Sequence, residues 1–323
     1  KDQSSIRSIA VSVAGTGAVA VGALIGANVI TNTVAAEITG STVISGSTLN
    51  LAAETSSSIM SLTAGVAGSG AVSVLVSLSG NVITNTTRAA IVSEGGVASN
   101  VDTAGAVTLS AKDTSTIDAM AFGVSGTGGV AVGVALAANV ITNTIETAVA
   151  GSTLDTTAGG LSLTSESSAV IRALAVGVSG SGGVAVQVTA MGNAIVNTVT
   201  ARISGSTVNT VGDVRLLAQD IAPSLIPTWM VPADKADEVN DNLAGSPIDP
   251  DGNILAIMIG VAGTGGVAVN GVFSGNVIAN SIRAEIDSST VHTTTGLVDL
   301  DTRSAAGIFA ITVGVAGSGA VAV

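Results

Sequence analysis

The sequence predicts an all-β chain, a β-solenoid of the parallel β-helix type built from repeats of about 54 residues with one short loop and helix insertion. Three observations carry that reading. A Gly-(Ser/Thr)-Gly triplet recurs with its first glycine at Gly15, Gly68, Gly126, Gly180, Gly263 and Gly317 and its second at Gly17, Gly70, Gly128, Gly182, Gly265 and Gly319. Thirteen residues past the start of each of the first five triplets stands an asparagine, Asn28, Asn81, Asn139, Asn193 and Asn276, and four further on a second, Asn32, Asn85, Asn143, Asn197 and Asn280. Between these marks the side chains alternate with period two, which is the signature of strands.

Composition agrees. Aromatic residues are 1% of the chain and charged residues 10%, while Gly alone supplies 41 of 323 positions. Large side chains are too few to fill a globular interior, so the core must be thin and two sheets must approach closely over a long distance. The apolar share of 47% raises the question of a membrane, because residues 119–145 carry no charge. Gly123, Gly126, Gly128, Gly129 and Gly133, with polar Asn139, Thr142 and Asn143, make that stretch a poor lipid-facing helix. With no Tyr there are no aromatic girdles for an outer-membrane barrel, and the chain is expected not to span a membrane. A net charge of −12 argues against nucleic acid as a partner. The absence of cysteine excludes disulfides and thiol catalysis and suits a secreted bacterial protein. Lys1 and Val323 both fall inside a repeat, so the chain is expected to be cut from a longer array.

Within a unit, the strand before the triplet alternates large and small residues: Ile9, Val11 and Val13 against Ala10, Ser12 and Ala14. The triplet itself reads as a sharp turn, its glycines free to take backbone angles closed to other residues. A second strand follows, with Val19 and Val21, then Val72 and Val74, then Val130 and Val132. A third carries the Asn pair into a Gly-Ser-Thr turn at Gly40, Gly151 and Gly205, and a fourth holds Leu49 and Leu51, then Leu161 and Leu163. With strands of five or six residues, each unit is expected to make two or three coils. Domain bounds follow: repeats over 1–218, an insertion over 219–254, and repeats again over 255–323. The insertion holds all five prolines and the one Trp, and Pro232 before 233–243 with Gly245 after it predicts a short helix there.

The chemical motifs are weak. Gly126-Thr127-Gly128-Gly129 superficially resembles a nucleotide-binding loop, but a Val-Ala-Val strand follows where a phosphate cradle needs a helix. The asparagines read as a structural ladder, set at equivalent turns in left-handed angles with amides shared between coils. Thr-Asn-Thr at 31–33, 84–86 and 142–144 is similar to an ice-binding face, though it decays to Val196-Asn197-Thr198 and Ala279-Asn280-Ser281. In the insertion, Asp249, Asp251 and Asn253 offer alternate oxygens around a Gly turn, a spacing that suits Ca²⁺, but the twelfth-position Glu of a full loop is missing and a solvated acidic turn is the simpler reading. No other cofactor is expected. His292 is the sole histidine, and Glu37, Asp118 and Glu146 sit at different phases of the repeat, so neither a triad nor a carboxylate pair forms and no enzyme is expected.

The run from Ala173 to Val186, Ala-Leu-Ala-Val-Gly-Val-Ser-Gly-Ser-Gly-Gly-Val-Ala-Val, followed by Asn193 and Asn197, resembles repeats of giant secreted bacterial adhesins of the filamentous-haemagglutinin class, including leukotoxin-type filamentous adhesins. The resemblance covers nearly the whole chain outside 219–254. It implies secretion through a dedicated outer-membrane partner, an extracellular filament at the cell surface, and attachment to host cells or to neighbours in a biofilm. The expected function is therefore a structural stalk or adhesive segment, with a self-assembling filament or sheath as the alternative and an ice-binding surface as a minor one. Trp229 and Met230 are the apolar candidates for a binding loop. The small-residue column of each strand, Ala, Gly, Ser or Thr, is expected to be covered, either by a second layer of the same chain or by another copy.

Overall fold

A computed structural model describes residues 1–226, 235, 238, 241, 242 and 251–323. The described chain is a parallel β-solenoid. The registers pair Gly15 with Gly68, Gly68 with Gly126, Gly126 with Gly180, Gly180 with Gly263 and Gly263 with Gly317, so each repeat lies directly on the one before it.

That pairing makes each repeat one coil, not two or three. The second coil shows how. A strand over Leu49–Ser69 runs to the glycine corner, a strand over Val72–Val92 runs back, and a short strand over Asn100–Thr103 closes the circuit. The two long strands have 21 residues each, far beyond the usual five or six. The second and third strands expected from the sequence are one, and the fourth opens the next coil. Polar runs such as Thr55-Ser56-Ser57-Ser58, which read like loops, stay in the ladder because Thr55 and Ser57 point inward to partners.

Stacking yields three sheets: eight strands in the sheet before the corner (sheet 1), nine after it (sheet 2), and five short ones closing the far side (sheet 3). The cross-section is a wedge. Near sheet 3 its core is large, with Leu109, Ile91, Ile145, Leu154 and Leu163 fully buried. Midway the two long sheets meet through a rank of isoleucines, Ile59, Ile83, Ile117, Ile141, Ile171 and Ile195. Toward the corner only small clusters remain, such as Ala185, Ala262 and Ala268. There, glycine hollows of sheet 1 accept side chains of sheet 2. A Cβ on Gly65 would lie 2.6 Å from Leu24 and 2.7 Å from Leu75, and one on Gly260 would lie 2.6 Å from Val272.

Two local expectations change. None of the triplet glycines has a positive φ; among the described residues that conformation belongs to Gly40, Gly95, Gly96, Gly151 and Gly205 and to Ser288, at or near the turn from sheet 2 to sheet 3. The second triplet glycine is needed for space instead. A Cβ there would meet the carbonyl oxygen of the coil before: 2.7 Å for Gly128 against Gly70, 2.8 Å for Gly265 against Gly182, and 2.6 Å for Gly319 against Gly265. The small-residue column, moreover, faces inward beside the corner. Ala10, Ser12 and Ala14 look toward sheet 2, while Ile9, Val11 and Val13 point away from the chain. The covering layer is the facing sheet, because two backbones can approach this closely only over small side chains.

Candidate functional site

The asparagines form two columns with different chemistry. The first column lies within strands and the second in strands only at Asn32 and Asn85, with Asn143, Asn197 and Asn280 in breaks between strands; none takes the left-handed angles expected, and stacking places equivalent amides one coil apart, about 4.8 Å. In the first column the Nδ2 of Asn28, Asn81, Asn139 and Asn193 each donates to the Oδ1 of the next, through Asn276, at 2.8 Å every time. Asn81 and Asn139 are fully buried. Asn139→Ala strands a donor on Asn81 and an acceptor on Asn193, and is expected to cost about 2–4 kcal/mol of stability, measured as a lowered urea midpoint.

The second column replaces part of the backbone ladder. The N–H groups of Asn85, Asn143 and Asn197 donate to the Oδ1 of Asn143, Asn197 and Asn280 at 2.9–3.0 Å, and from the third coil onward sheet 2 is interrupted at this point. Their own Nδ2 groups cross the interior. Asn85 and Asn143 reach Asp113 at 2.8 and 2.6 Å, Asn197 reaches Ser167 at 3.0 Å, and Asn280 reaches Asp220 at 2.7 Å. Sequence reading missed these two acids, since Asp113 sits in a polar run that looks solvated. Burial raises both carboxyls to about 6, opposed by bonds from Ser115 and Asn85 at Asp113 and from Ser167 and Asn280 at Asp220.

The acids weighed as catalytic partners are on the outer wall in ion pairs. Arg88 bridges Glu37 and Glu146, Arg202 binds Glu146 at 2.6 Å, and Arg172 binds Asp118 at 2.6 Å. His292 lies in the short strand Thr290–Thr293 of sheet 3. The paired Thr side chains at 31 and 33, 84 and 86, and 142 and 144 face outward on adjacent coils, so their ranks are far denser than one per repeat suggests, yet Val196 and Ala279 end the first rank.

The insertion leaves sheet 1 after Asp220 and returns at Ile254. Its root is clasped. Ser224 and Asp251 form an antiparallel bridge, the N–H of Gly252 donates to Pro223 O at 3.0 Å, and Leu225 is buried. Arg172, already paired with Asp118, reaches Ser224 O at 3.3 Å. An open cavity of about 450 Å³ lies beside this root, lined by Arg7, Met60, Asp118, Arg172, Pro223 and Ile226 among others. Trp229, Met230, Asp249 and most of the helix expected over 233–243 lie outside the described residues. Asn253 is turned inward: its Nδ2 donates to Ala169 O at 3.0 Å and its Oδ1 accepts from the Gly307 N–H at 3.2 Å, so its oxygen is committed to the stack. Among the described residues no group of three or more His, Cys, Asp or Glu side chains is placed to hold a metal ion, and no helix is long and apolar enough to cross a membrane.

No protein-family model, curated protein or solved structure matches the chain.

Proposed function

We propose that this chain is a structural and adhesive stalk segment of a large bacterial surface filament, without enzymatic activity. The observation that supports it best is the identity of repeat and coil: each added repeat lengthens the stack by about 4.8 Å while its cross-section stays the same. Such a molecule is a spacer of adjustable length. The similarity of the Ala173–Val186 repeat to filamentous adhesins points the same way. Specificity is assigned to the insertion, whose root is fixed on a rigid wall beside a cavity.

Deleting residues 222–251 tests this and keeps the stack in register. It leaves three residues between Asp220 and Ile254, as the coil before has between Ser167 and Ile171. The parent segment is expected to bind cells or biofilm saturably, and the deletion to weaken that binding tenfold or more with its circular dichroism unchanged. Sedimentation to large species without saturable binding would favour the self-assembling sheath.

A further inference from the structure

Past each glycine corner the outward side chains of sheet 2 are aliphatic or glycine. In the second coil they are Val74, Val76, Leu78, Gly80 and Val82, and in the third Val132, Val134, Leu136, Ala138 and Val140. A rank of threonines, Thr31, Thr84 and Thr142, borders this zone, and the ion pairs of Glu37, Arg88, Glu146 and Arg202 stand beyond it. The inward positions of the same strands are filled by groups such as Ser77, Gln187 and Thr189, buried and hydrogen-bonded inside the wedge. The aliphatic side chains that turn the other way remain exposed or half-buried, and the insertion does not begin on this face, being rooted on sheet 1.

This face has relief. The registers put Ile25, Leu78, Leu136 and Phe273 in one column, stepping down only at Ala190, and Ala27, Gly80, Ala138, Gly192 and Gly275 in the column beside it. A ridge and a trough therefore run side by side along the stack, and in the first three coils they enclose an open apolar groove of about 330 Å³ between Ile25, Leu78 and Leu136 and the small residues Ala27, Gly80 and Ala138. Glycine weakens a strand and often marks the close approach of another backbone. A Cβ on Gly192 or Gly275 would meet nothing within 4 Å, so packing within the chain does not call for glycine at either position.

We propose that this face pairs with the same face of a second copy of the chain, the two stacks lying parallel and the ridge of each seated in the trough of the other. A two-fold axis running along the stack between the two columns carries ridge onto trough and keeps equivalent coils at one height, which makes the contact isologous and closed. The area supports this occupant. The ten residue steps from Val21 to Thr31 span about 33 Å at ~3.3 Å each, and the five coils of the face about 24 Å at ~4.8 Å, so pairing two faces removes on the order of 1,600 Å² from water, the standard size of a specific interface. The outer face of sheet 1 beside the corner is also aliphatic but shallower: six steps from Ile9 to Gly15 over six coils give a pair on the order of 1,150 Å², under the ~1,200 Å² at which specific complexes begin. Repeat length argues the same way, since rows recurring every ~4.8 Å are matched row for row by a surface with that same repeat, as sheets are in dry zippers. The pairing would join stalks side by side and does not depend on what the insertion binds.

The test is analytical ultracentrifugation of the whole chain and two single variants. Because interfaces of this size range from micromolar to picomolar, the parent is expected to be a dimer at tens of micromolar. Leu136→Asp sets a charge on the ridge, and Gly80→Leu fills the trough opposite the partner's ridge while making the face more apolar. Both side chains point outward, and a Cβ on Gly80 comes no closer than 4.0 Å to its nearest neighbour, so both variants should keep the parent's circular dichroism and urea midpoint. Each is expected to weaken the dimer at least tenfold. Loss on Gly80→Leu separates seating of a ridge from general stickiness, which an added leucine would strengthen. A parent that stays monomeric overturns the proposal, and if that monomer floats with phosphatidylcholine vesicles the face belongs to lipid. A dimer that either substitution leaves intact, or growth beyond the dimer, overturns it as well.

Discussion

Gly128→Ala is expected to lower the stability of the solenoid by about 3 kcal/mol, while Gly126→Ala, two residues earlier in the same triplet, leaves it unchanged or raises it by up to about 1 kcal/mol. The two glycines look equivalent in sequence and differ only in what stands beside them. A methyl group on Gly128 would lie 2.7 Å from the Gly70 carbonyl oxygen, and one on Gly126 would meet nothing within 4 Å. Neither residue has a positive φ, so strain in the backbone angles is not involved. The atom that must yield is backbone, held by the ladder of a neighbouring coil, and it cannot swing aside as a side chain would. The cost therefore falls at the upper end of what overpacking normally brings. Urea midpoints of the two single variants decide the matter. Equal losses would mean that the corner needs glycine for flexibility and not for close approach.

The second large effect is a dependence on pH. Burial raises the Asp113 carboxyl from 3.8 to about 6, so the folded chain retains a proton that the unfolded chain releases across that interval. The native state then binds more protons than the unfolded one, and stability falls as pH rises from about 4 to about 6 before levelling off. A shift of about two units at Asp113 corresponds to a loss on the order of 3 kcal/mol, and Asp220, raised to about 6 by burial, acts in the same direction. Asp113→Ser copies the fourth coil, where Ser167 occupies this register position and accepts from Asn197 at 3.0 Å. The variant should keep the network without the buried charge. Its urea midpoint is expected to vary less than the parent's between pH 4 and 7, the difference in slope reporting Asp113. Identical slopes would show that Asp113 does not retain its proton.

The stacking was legible because offsets are arithmetic: thirteen residues from corner to first asparagine and four more to the second, whatever the loops do between. The Leu and Ile columns near sheet 3 were legible too, since period two and large volume coincide there. The number of coils per repeat was not. Thr55 and Thr87 meet at 2.8 Å across the interior, and a strand whose inward side chains are hydroxyls looks like a loop until its partner is known. Which face turns inward was also hidden. Alternation separates two faces without ranking them, and the habit of placing the larger residue inside fails where two sheets are too close for anything but Ala, Gly and Ser. Asp113 escaped notice for a related reason: its polar contacts are Asn85 in the coil before, Asn143 on the opposite sheet of its own coil and Ser115 in its own strand, and no spacing marks them as a set.

The coil-by-coil ladder also fixes how the molecule answers a pulling force. Its hydrogen bonds lie along the long axis, so tension between the two ends opens them one turn at a time from an extremity, like a zip, and does not shear them together. A turn such as the one between Gly126 and Gly180 contains 54 residues, and once detached it pays out on the order of 180 Å of thread in place of the ~4.8 Å it occupied. The same construction that makes a rigid rod at rest thus makes a long, yielding tether under load.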